Sequence, residues 1–182
     1  MTARGAAVIE TARLILRVPE AADRAALHAM WADPRVMADL GPVKDAAQSD
    51  AALARHEGYR REGLGFWVVE RRDMGGVIGF CGLKRADDYV PFPGAVEIGW
   101  MFAEAHWGRG YAREAAAASL DWAWTRVGAA RVIAITAAVN AKSRALMARL
   151  GLHYVESGDF DHPLFAPGDR LRASVTYAID RP

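Results

Sequence analysis

The sequence predicts an α/β (α+β) fold, in which a mixed, mostly antiparallel central sheet of about seven strands is flanked by about four helices. Apolar strand-like stretches alternate with helix-forming ones in the order strand, two helices, three strands, helix, strand, helix and two strands. The 182 residues suit one hydrophobic core, and no repeat or long linker divides them. We therefore expect a single domain over residues 1–182.

The first half of the chain is predicted to form a strand, two helices and a hairpin. TARLILR alternates in the period-two pattern of a strand near a sheet edge. Pro19 suits the first turn of a helix that ends near Asp33, and Gly63 closes the second helix. Two β-rich runs separated by glycine-rich turn residues indicate the hairpin. The other expected ranges are strand 11–17, helix 46–61, and strands 66–72 and 76–85.

The second half of the chain is predicted to alternate strands and helices. VEIGWMF places Glu97 on the same strand face as Gly99 and Met101. RVIAITAA is continuously apolar, as a central strand buried on both faces is, and Gly128 ends the alanine-rich helix that precedes it. The expected ranges are strand 96–102, helix 111–126, strand 131–138, helix 140–151, and strands 153–157 and 173–179.

Composition excludes several classes of function. The formal net charge is +1, from 23 basic and 22 acidic residues, and no basic run supports nucleic-acid binding. Cys81 is the only cysteine, so the chain has neither an internal disulfide nor a cysteine-based metal site, and the histidines lack metal-ligand spacing. No apolar stretch approaches a membrane span. We expect a cytoplasmic protein without a metal or membrane partner.

The stretch HWGRGYAREAA carries the strongest chemical signal. The start of a helix exposes unpaired amide N–H groups and the positive end of the helix dipole, and Gly108 and Gly110 leave that end open to an anion. A tight strand-to-helix turn is the alternative, and the two glycines taken alone favour it. A nucleoside triphosphatase loop is excluded because Tyr111 and Ala112 replace its Lys and Ser/Thr, and a dinucleotide fingerprint lacks its third glycine.

Two motifs resemble the GNAT N-acetyltransferases, and within them the branch of the ribosomal-protein N-terminal acetyltransferases. They are EIGWMFAEAHWGRGYAREA and NAKSRALMARLGL, and the opening TARLILRVPEAADRAALHAMWADPRVM resembles the same branch. The resemblance implies a GNAT-like domain whose glycine turn binds the pyrophosphate of acetyl-CoA through backbone amides. By position, that turn comprises Trp107, Gly108, Arg109, Gly110, Tyr111 and Ala112, with Trp107 where many members have Gln or Arg.

The resemblance also implies where the rest of acetyl-CoA binds. The strand at 96–102 bulges and parts from the strand at 131–138, so that pantetheine pairs with exposed backbone near Met101 and Phe102 and an amide near Met101 faces the thioester oxygen. Asn140 and Ser143 match residues that contact pantetheine or the thiol end of CoA. For Asn140, a role as helix N-cap alone is the alternative.

Acetyl transfer to an amine needs a base for the amine and a proton for the departing thiolate. The resemblance implies Glu97 as the base, through water; a solvated glutamate at a strand edge is the alternative. Many members have a tyrosine acid where this chain has Met147, which cannot donate a proton. Ser143 is therefore the candidate for both the acid and the pantetheine contact.

The acceptor site is the least defined by sequence. The loop DFDHP brings together Asp161 and His162, which could hold a cationic amine or supply another base, or could form an ordinary turn. Trp31 lies where the family builds its acceptor pocket, although tryptophan on an amphipathic helix is commonly a core residue.

The sequence thus predicts an acetyl-CoA-dependent N-acetyltransferase that acts on a primary amine, either a protein N-terminus or a small molecule, in a ternary complex. The alternative is a non-catalytic CoA- or acyl-CoA-binding module, and a longer acyl group is a third possibility. The family resemblance also makes a homodimer possible.

Overall fold

The computed structural model describes residues 7–182, and these residues fold around one mixed sheet. The strand order is β1-β2-β3-β4-β5-β6-β9-β7, with β8 also paired to β9, and β5–β6 is the parallel pair. The strands are β1 Ala7–Glu10, β2 Leu14–Arg17, β3 Gly65–Arg71, β4 Val77–Arg85, β5 Val96–Phe102, β6 Arg131–Ala137, β7 His153–Tyr154, β8 Phe160–Asp161 and β9 Ala173–Asp180. The helices are α1 Arg24–Ala32, α2 Pro34–Met37, α3 Ala46–Gly58, α4 Tyr111–Trp122 and α5 Ala141–Arg149.

The predicted fold class is confirmed, with two strands and one helix more than expected in the described part of the chain. The strands β1 and β8 are four and two residues long, too short for a periodic pattern to identify. The first helix ends where expected, at Ala32 before Asp33. Pro34 then occupies the first turn of the additional helix α2, which Asp33 caps by accepting a hydrogen bond from the Arg35 amide at 2.8 Å.

The two faces of the sheet carry different helices. On one face, α4 packs its small residues Ala115 and Ala116 against a core that includes Ile98 and Phe102 of β5. On the other face, α1 and α2 cover Met101 of β5 and its neighbours on β3 and β4. Because the residues of β5 alternate between these faces, Glu97, Gly99 and Met101 lie on the side opposite α4.

The sheet splits between β5 and β6. These parallel strands pair only at Val96 with Val132 and at Glu97 with Ile133, whereas β4 follows β5 to Phe102 and β9 follows β6 to its end. The predicted parting of the two strands is therefore confirmed. The predicted bulge is not found, because the pairing of β5 with β4 keeps one uninterrupted register.

Candidate active site

The split between β5 and β6 opens into a cleft of about 810 Å³. This volume lies in the upper part of the range for cofactor and substrate pockets. Four segments enclose it: the α2 region, the end of β5, the glycine turn with the start of α4, and the start of α5. The residues that line it include Arg35, Trp100, Met101, Phe102, Trp107, Gly108, Gly110, Tyr111, Ala112, Arg113, Asn140, Lys142, Ser143 and Arg149.

Both glycines of the turn have left-handed backbone, with φ of +73° at Gly108 and +79° at Gly110. Residues with a side chain rarely adopt this backbone conformation. Glycine is therefore needed for the path of the chain, and it also leaves the surface of the turn open to a ligand. Gly110 is the N-cap of α4, and the first helical bond runs from the Glu114 amide to its carbonyl at 3.1 Å. The amides of Tyr111, Ala112 and Arg113 therefore precede the first bonded amide and are available to a ligand.

The cleft is electropositive at this end. Arg113 on α4 and Lys142 and Arg149 on α5 line it together with the positive end of the α4 dipole. Arg35 also lines it, although its charge is offset by ion pairs with Asp33 and Glu104. This charge distribution, beside two glycines with no side chain to block approach, fits a ligand with several phosphates.

Trp107 connects the glycine turn to both walls of the cleft. Its indole Nε1 donates a hydrogen bond to the Phe102 carbonyl at 2.8 Å, and Lys142 Nζ lies 4.1 Å from the centroid of its ring. Arg109, the remaining residue of the turn, lies outside the lining of the cleft.

The backbone of β5 faces the cleft at Phe102, as expected, and at Trp100 instead of Met101. The Ala103 amide donates to the Ile78 carbonyl at 3.0 Å, and in the uninterrupted register with β4 the backbone groups alternate in direction from this point. The Met101 amide therefore points toward β4, which corrects the expectation that it faces the cleft. The backbone N–H and C=O groups directed at the split are those of Trp100 and Phe102. Trp100 was not among the residues predicted from the sequence.

The start of α5 forms the opposite wall. Asn140 caps this helix by accepting a hydrogen bond from the Ser143 amide at 3.0 Å, and its Nδ2 donates to the Asp39 carbonyl at 3.3 Å. Asn140 therefore has the expected capping role and also tethers the segment after α2. Ser143 lines the cleft, whereas Met147 one turn later is buried in the core on the α4 side of the sheet.

Glu97 lies at the apex of the split, in the last residue pair that joins β5 to β6. Lys84 Nζ approaches its Oε2 to 3.1 Å and also donates to Asp87 Oδ2 at 2.9 Å. Burial raises the pKa of Glu97, and the Lys84 ammonium offsets part of the rise. The solvated strand-edge alternative is therefore wrong for Glu97.

A chain of contacts links His162 to Glu97. The His162 ring packs edge-on against Tyr89 at 5.3 Å, and the Tyr89 hydroxyl donates to Asp87, which shares Lys84 with Glu97. Of the sequence candidates for the acceptor, His162 is thus the one on the Glu97 side.

The other two acceptor candidates are turned elsewhere. The Asp161 carboxylate pairs with Arg172 at 3.1 Å, and Trp31 is a buried core residue that packs edge-on against Phe80. None of the three acceptor candidates, His162 included, belongs to the lining of the cleft.

Residues 7–182 show neither a membrane-spanning helix nor a cluster of metal-binding side chains. The described helices include none with the length and apolar character needed to cross a bilayer. The same residues contain no group of three His, Cys, Asp or Glu side chains placed to hold a metal ion.

Comparison with known proteins relates the chain to acetyltransferases. A family model described as "Acetyltransferase (GNAT) domain" matches residues 13–153. A Bacillus subtilis protein, YkkB, is 32% identical over 149 residues, which are 79% of this chain and 84% of that relative.

Solved structures have the same fold. The acetyltransferase from Agrobacterium tumefaciens str. C58 has a TM-score of 0.77 and 27% identity, with 95% of this chain and 94% of that chain covered. RimL, a ribosomal L7/L12 α-N-protein acetyltransferase solved in complex with coenzyme A, has a TM-score of 0.76 with 96% and 98% covered. At 16% identity, the likeness to RimL concerns the fold alone.

Proposed function

Because this chain belongs to the GNAT acetyltransferase family, whose members acetylate with acetyl-CoA, we propose that it transfers the acetyl group directly to a primary amine in a ternary complex. The observation that carries the proposal is the split between β5 and β6, which has the glycine turn at one end and Glu97 at its apex. The acceptor is a primary amine, either a peptide N-terminus or a small molecule.

The proposed cofactor site uses mostly backbone groups. Gly108, Gly110 and the free amides of Tyr111 and Ala112 bind the pyrophosphate, where the α4 dipole favours negative charge. Trp107 and Arg109 complete the turn, with Trp107 supporting the wall rather than binding phosphate through a polar side-chain group.

The pantetheine arm runs from the turn into the split. It pairs with the backbone of Trp100 and Phe102, beside the side chain of Met101, and contacts Asn140 and Ser143 on the opposite wall. An amide from this part of β5 polarises the thioester carbonyl, since a donor aimed at the developing oxyanion stabilises the transition state.

The chemistry is then a single displacement. Glu97 accepts a proton from the ammonium form of the acceptor, through water, and the neutral amine attacks the thioester carbonyl carbon. The C–N bond forms and the C–S bond breaks. The proton that the attacking nitrogen then loses passes through the Ser143 hydroxyl to the CoA thiolate, so the products are the amide and free CoA. Glu97 suits this role because burial raises the pKa of its carboxyl toward the range in which a base exchanges protons near neutral pH.

Calorimetric titration of Gly110→Glu with acetyl-CoA tests the cofactor site. Bulk and negative charge at the start of α4 are expected to abolish binding, while circular dichroism and the melting temperature report that the protein is folded. Wild-type affinity in this folded variant would show that the glycine turn does not bind the pyrophosphate.

A thiol-release assay over a panel of amines and peptide N-termini tests the reaction. With an active acceptor, Glu97→Gln is expected to lower kcat at least about 100-fold, the usual contribution of a general base. Ser143→Ala is expected to lower kcat without weakening acetyl-CoA binding in proportion. Full turnover by Glu97→Gln would show that the base assignment is wrong.

We also propose one domain over residues 1–182, a cytoplasmic location and a homodimer. Sedimentation velocity tests the oligomeric state, for which a monomer at working concentrations would contradict the proposal.

A further inference from the structure

The glycine turn is held from outside the cleft by a residue nearly one hundred positions earlier in the chain. Arg13, in the turn between β1 and β2, donates from Nη1 to the Arg109 carbonyl at 3.0 Å. Its guanidinium also lies 4.7 Å from the centroid of the Tyr111 ring. Arg13 is therefore in contact with residues on both sides of Gly110.

This bond has a directional consequence for Gly110. In a trans peptide the carbonyl and the following N–H point in opposite directions, and the chain has no cis peptide among its described residues. Since the Arg109 carbonyl points at Arg13, the Gly110 N–H points away from Arg13. A Cβ at Gly110 would lie 3.4 Å from Arg13 Nη2, so the guanidinium closes the outer side of the turn.

Arg13 is itself fixed by Glu114 in the first turn of α4. Its Nε donates to Glu114 Oε2 at 2.7 Å and its backbone amide to Oε1 at 2.9 Å, while the Thr11 hydroxyl donates to Oε1 at 2.6 Å. Three donors thus hold one carboxylate, and the orientation of the guanidinium is set before any ligand binds.

The same pair also controls charge at the anion site. Glu114 places a carboxylate within one turn of the amides proposed to bind pyrophosphate, where it would repel phosphate if it were unpaired. Arg13 neutralises it. The hydrogen bonds from Thr11 and Arg13 outweigh burial and hold the pKa of Glu114 below its ordinary value, so the carboxylate is ionised at neutral pH.

We propose that Arg13 is a positioning residue for acetyl-CoA, which orients the Gly110 amide and neutralises Glu114 without touching the reacting atoms. The inference rests on the proposed function, since it takes the glycine turn as the pyrophosphate site. The residue acts on binding of the phosphate-bearing part of the cosubstrate and leaves the chemical step unchanged.

The test compares Arg13→Met, Glu114→Gln and the double variant by calorimetric titration with acetyl-CoA and by steady-state kinetics. Arg13→Met should raise Kd and the KM for acetyl-CoA about tenfold or more, the usual effect of losing charge-assisted hydrogen bonds, with kcat unchanged. The double variant should bind more tightly than Arg13→Met, because Glu114 no longer repels the phosphates. A merely structural role for Arg13 predicts no such recovery.

Arg72→Met is the matched control. Arg72 also anchors the β1–β2 turn, donating from Nη1 to the Thr11 carbonyl at 2.8 Å, but the contacts described for it do not reach the glycine turn. It should bind acetyl-CoA as the wild type does. If Arg13→Met proves unfolded, Arg13→Lys takes its place and should also bind acetyl-CoA more weakly. A lysine ammonium cannot reproduce the planar guanidinium that contacts the Arg109 carbonyl and the Glu114 carboxylate together.

The outcomes distinguish a failure of the role proposed for Arg13 from a failure of the proposed function. Unchanged Kd in folded Arg13→Met or Arg13→Lys, with binding lost in Gly110→Glu, overturns the role of Arg13 and leaves the glycine turn in place. Equal loss in Arg13→Met and the double variant also overturns the charge argument. Failure of the wild type to bind acetyl-CoA would instead remove the proposed function, and this inference with it.

Discussion

Lys84 and Glu97 face each other across the β4–β5 pair, with Nζ 3.1 Å from Oε2, at the last point where β5 is joined to β6. Their side chains are 11% and 13% exposed, so the charges interact with little screening by solvent. Asp87 shares the ammonium at 2.9 Å, and Arg55 of α3 adds a weaker positive field. The proposed base is therefore tuned by a neighbouring lysine.

Replacing that lysine should move the pH dependence of catalysis. Burial raises the pKa of Glu97, Lys84 lowers it and Asp87 raises it again, so Lys84→Met should raise it further. The base works as a carboxylate, and the acidic limb of kcat/KM should therefore move to higher pH. Arg85→Met is the control, because it removes a charge that is paired with Glu62 at 2.7 Å. If Glu97→Gln is inactive but the acidic limb of kcat/KM stays in place in Lys84→Met, Lys84 does not control the pKa of the base.

Gly108→Ala should separate the cost of backbone strain from the cost of a methyl group in the cleft. Gly108 and Gly128 have nearly equal φ, +73° and +72°, and an added Cβ meets no atom within 4 Å at either. Each alanine should destabilise the protein by about 1 kcal/mol in urea denaturation. Only Gly108→Ala should weaken binding of acetyl-CoA. Equal affinities for the two variants would show that this part of the turn does not approach the ligand.

Trp107→Phe should weaken acetyl-CoA binding through the backbone of β5. The substitution keeps an aromatic ring under Lys142 but removes the 2.8 Å hydrogen bond from the indole to the Phe102 carbonyl. Loss of such a hydrogen bond costs about 1 kcal/mol of interaction free energy. Trp122→Phe removes an equivalent 2.9 Å bond, to the Gly63 carbonyl away from the cleft. Titration calorimetry should therefore give a higher Kd for Trp107→Phe alone, and a higher Kd for both would argue against a local effect.

Arg17→Met should destabilise the fold by roughly 3–5 kcal/mol, because it leaves buried Asp23 and Glu70 without their shared cation. Arg24→Met, which breaks an exposed pair with Asp50, should cost less than about 1 kcal/mol. Urea denaturation measures the free energy of unfolding of both variants. Similar losses in the two would show that burial does not make the Arg17 ion pairs more important for stability than the exposed pair.

The same cluster predicts an acid dependence of stability. Burial favours the protonated form of Asp23, but its hydrogen bonds with Arg17 and the Glu20 amide outweigh burial and lower its pKa. The stability that ionised Asp23 contributes is therefore fully present above the ordinary aspartate pKa. It is lost as the pH falls through the lowered pKa of Asp23 in the folded protein. Arg17→Met should therefore unfold with a weaker dependence on acidic pH than the wild type. An equal dependence in both proteins would show that the pair does not control it.

Sequence alone determined the order of the elements and the position of the glycine turn. These features are local: apolar period, helix propensity and a need for left-handed backbone at Gly108 and Gly110 depend on neighbouring residues. The family resemblance added the ligand and the parting of β5 from β6. The short strands β1 and β8 and the helix at Pro34 had too few residues for such a pattern.

Tertiary structure decided which groups meet. The direction of the Met101 amide depends on register with β4, and one residue of shift reverses every backbone group along a strand. Lys84 and Glu97 become partners through strand pairing, and Arg13 reaches Arg109 only because β2 and α4 meet in the fold. These contacts join residues 13 to 96 positions apart, and no local period in the sequence encodes such a distance.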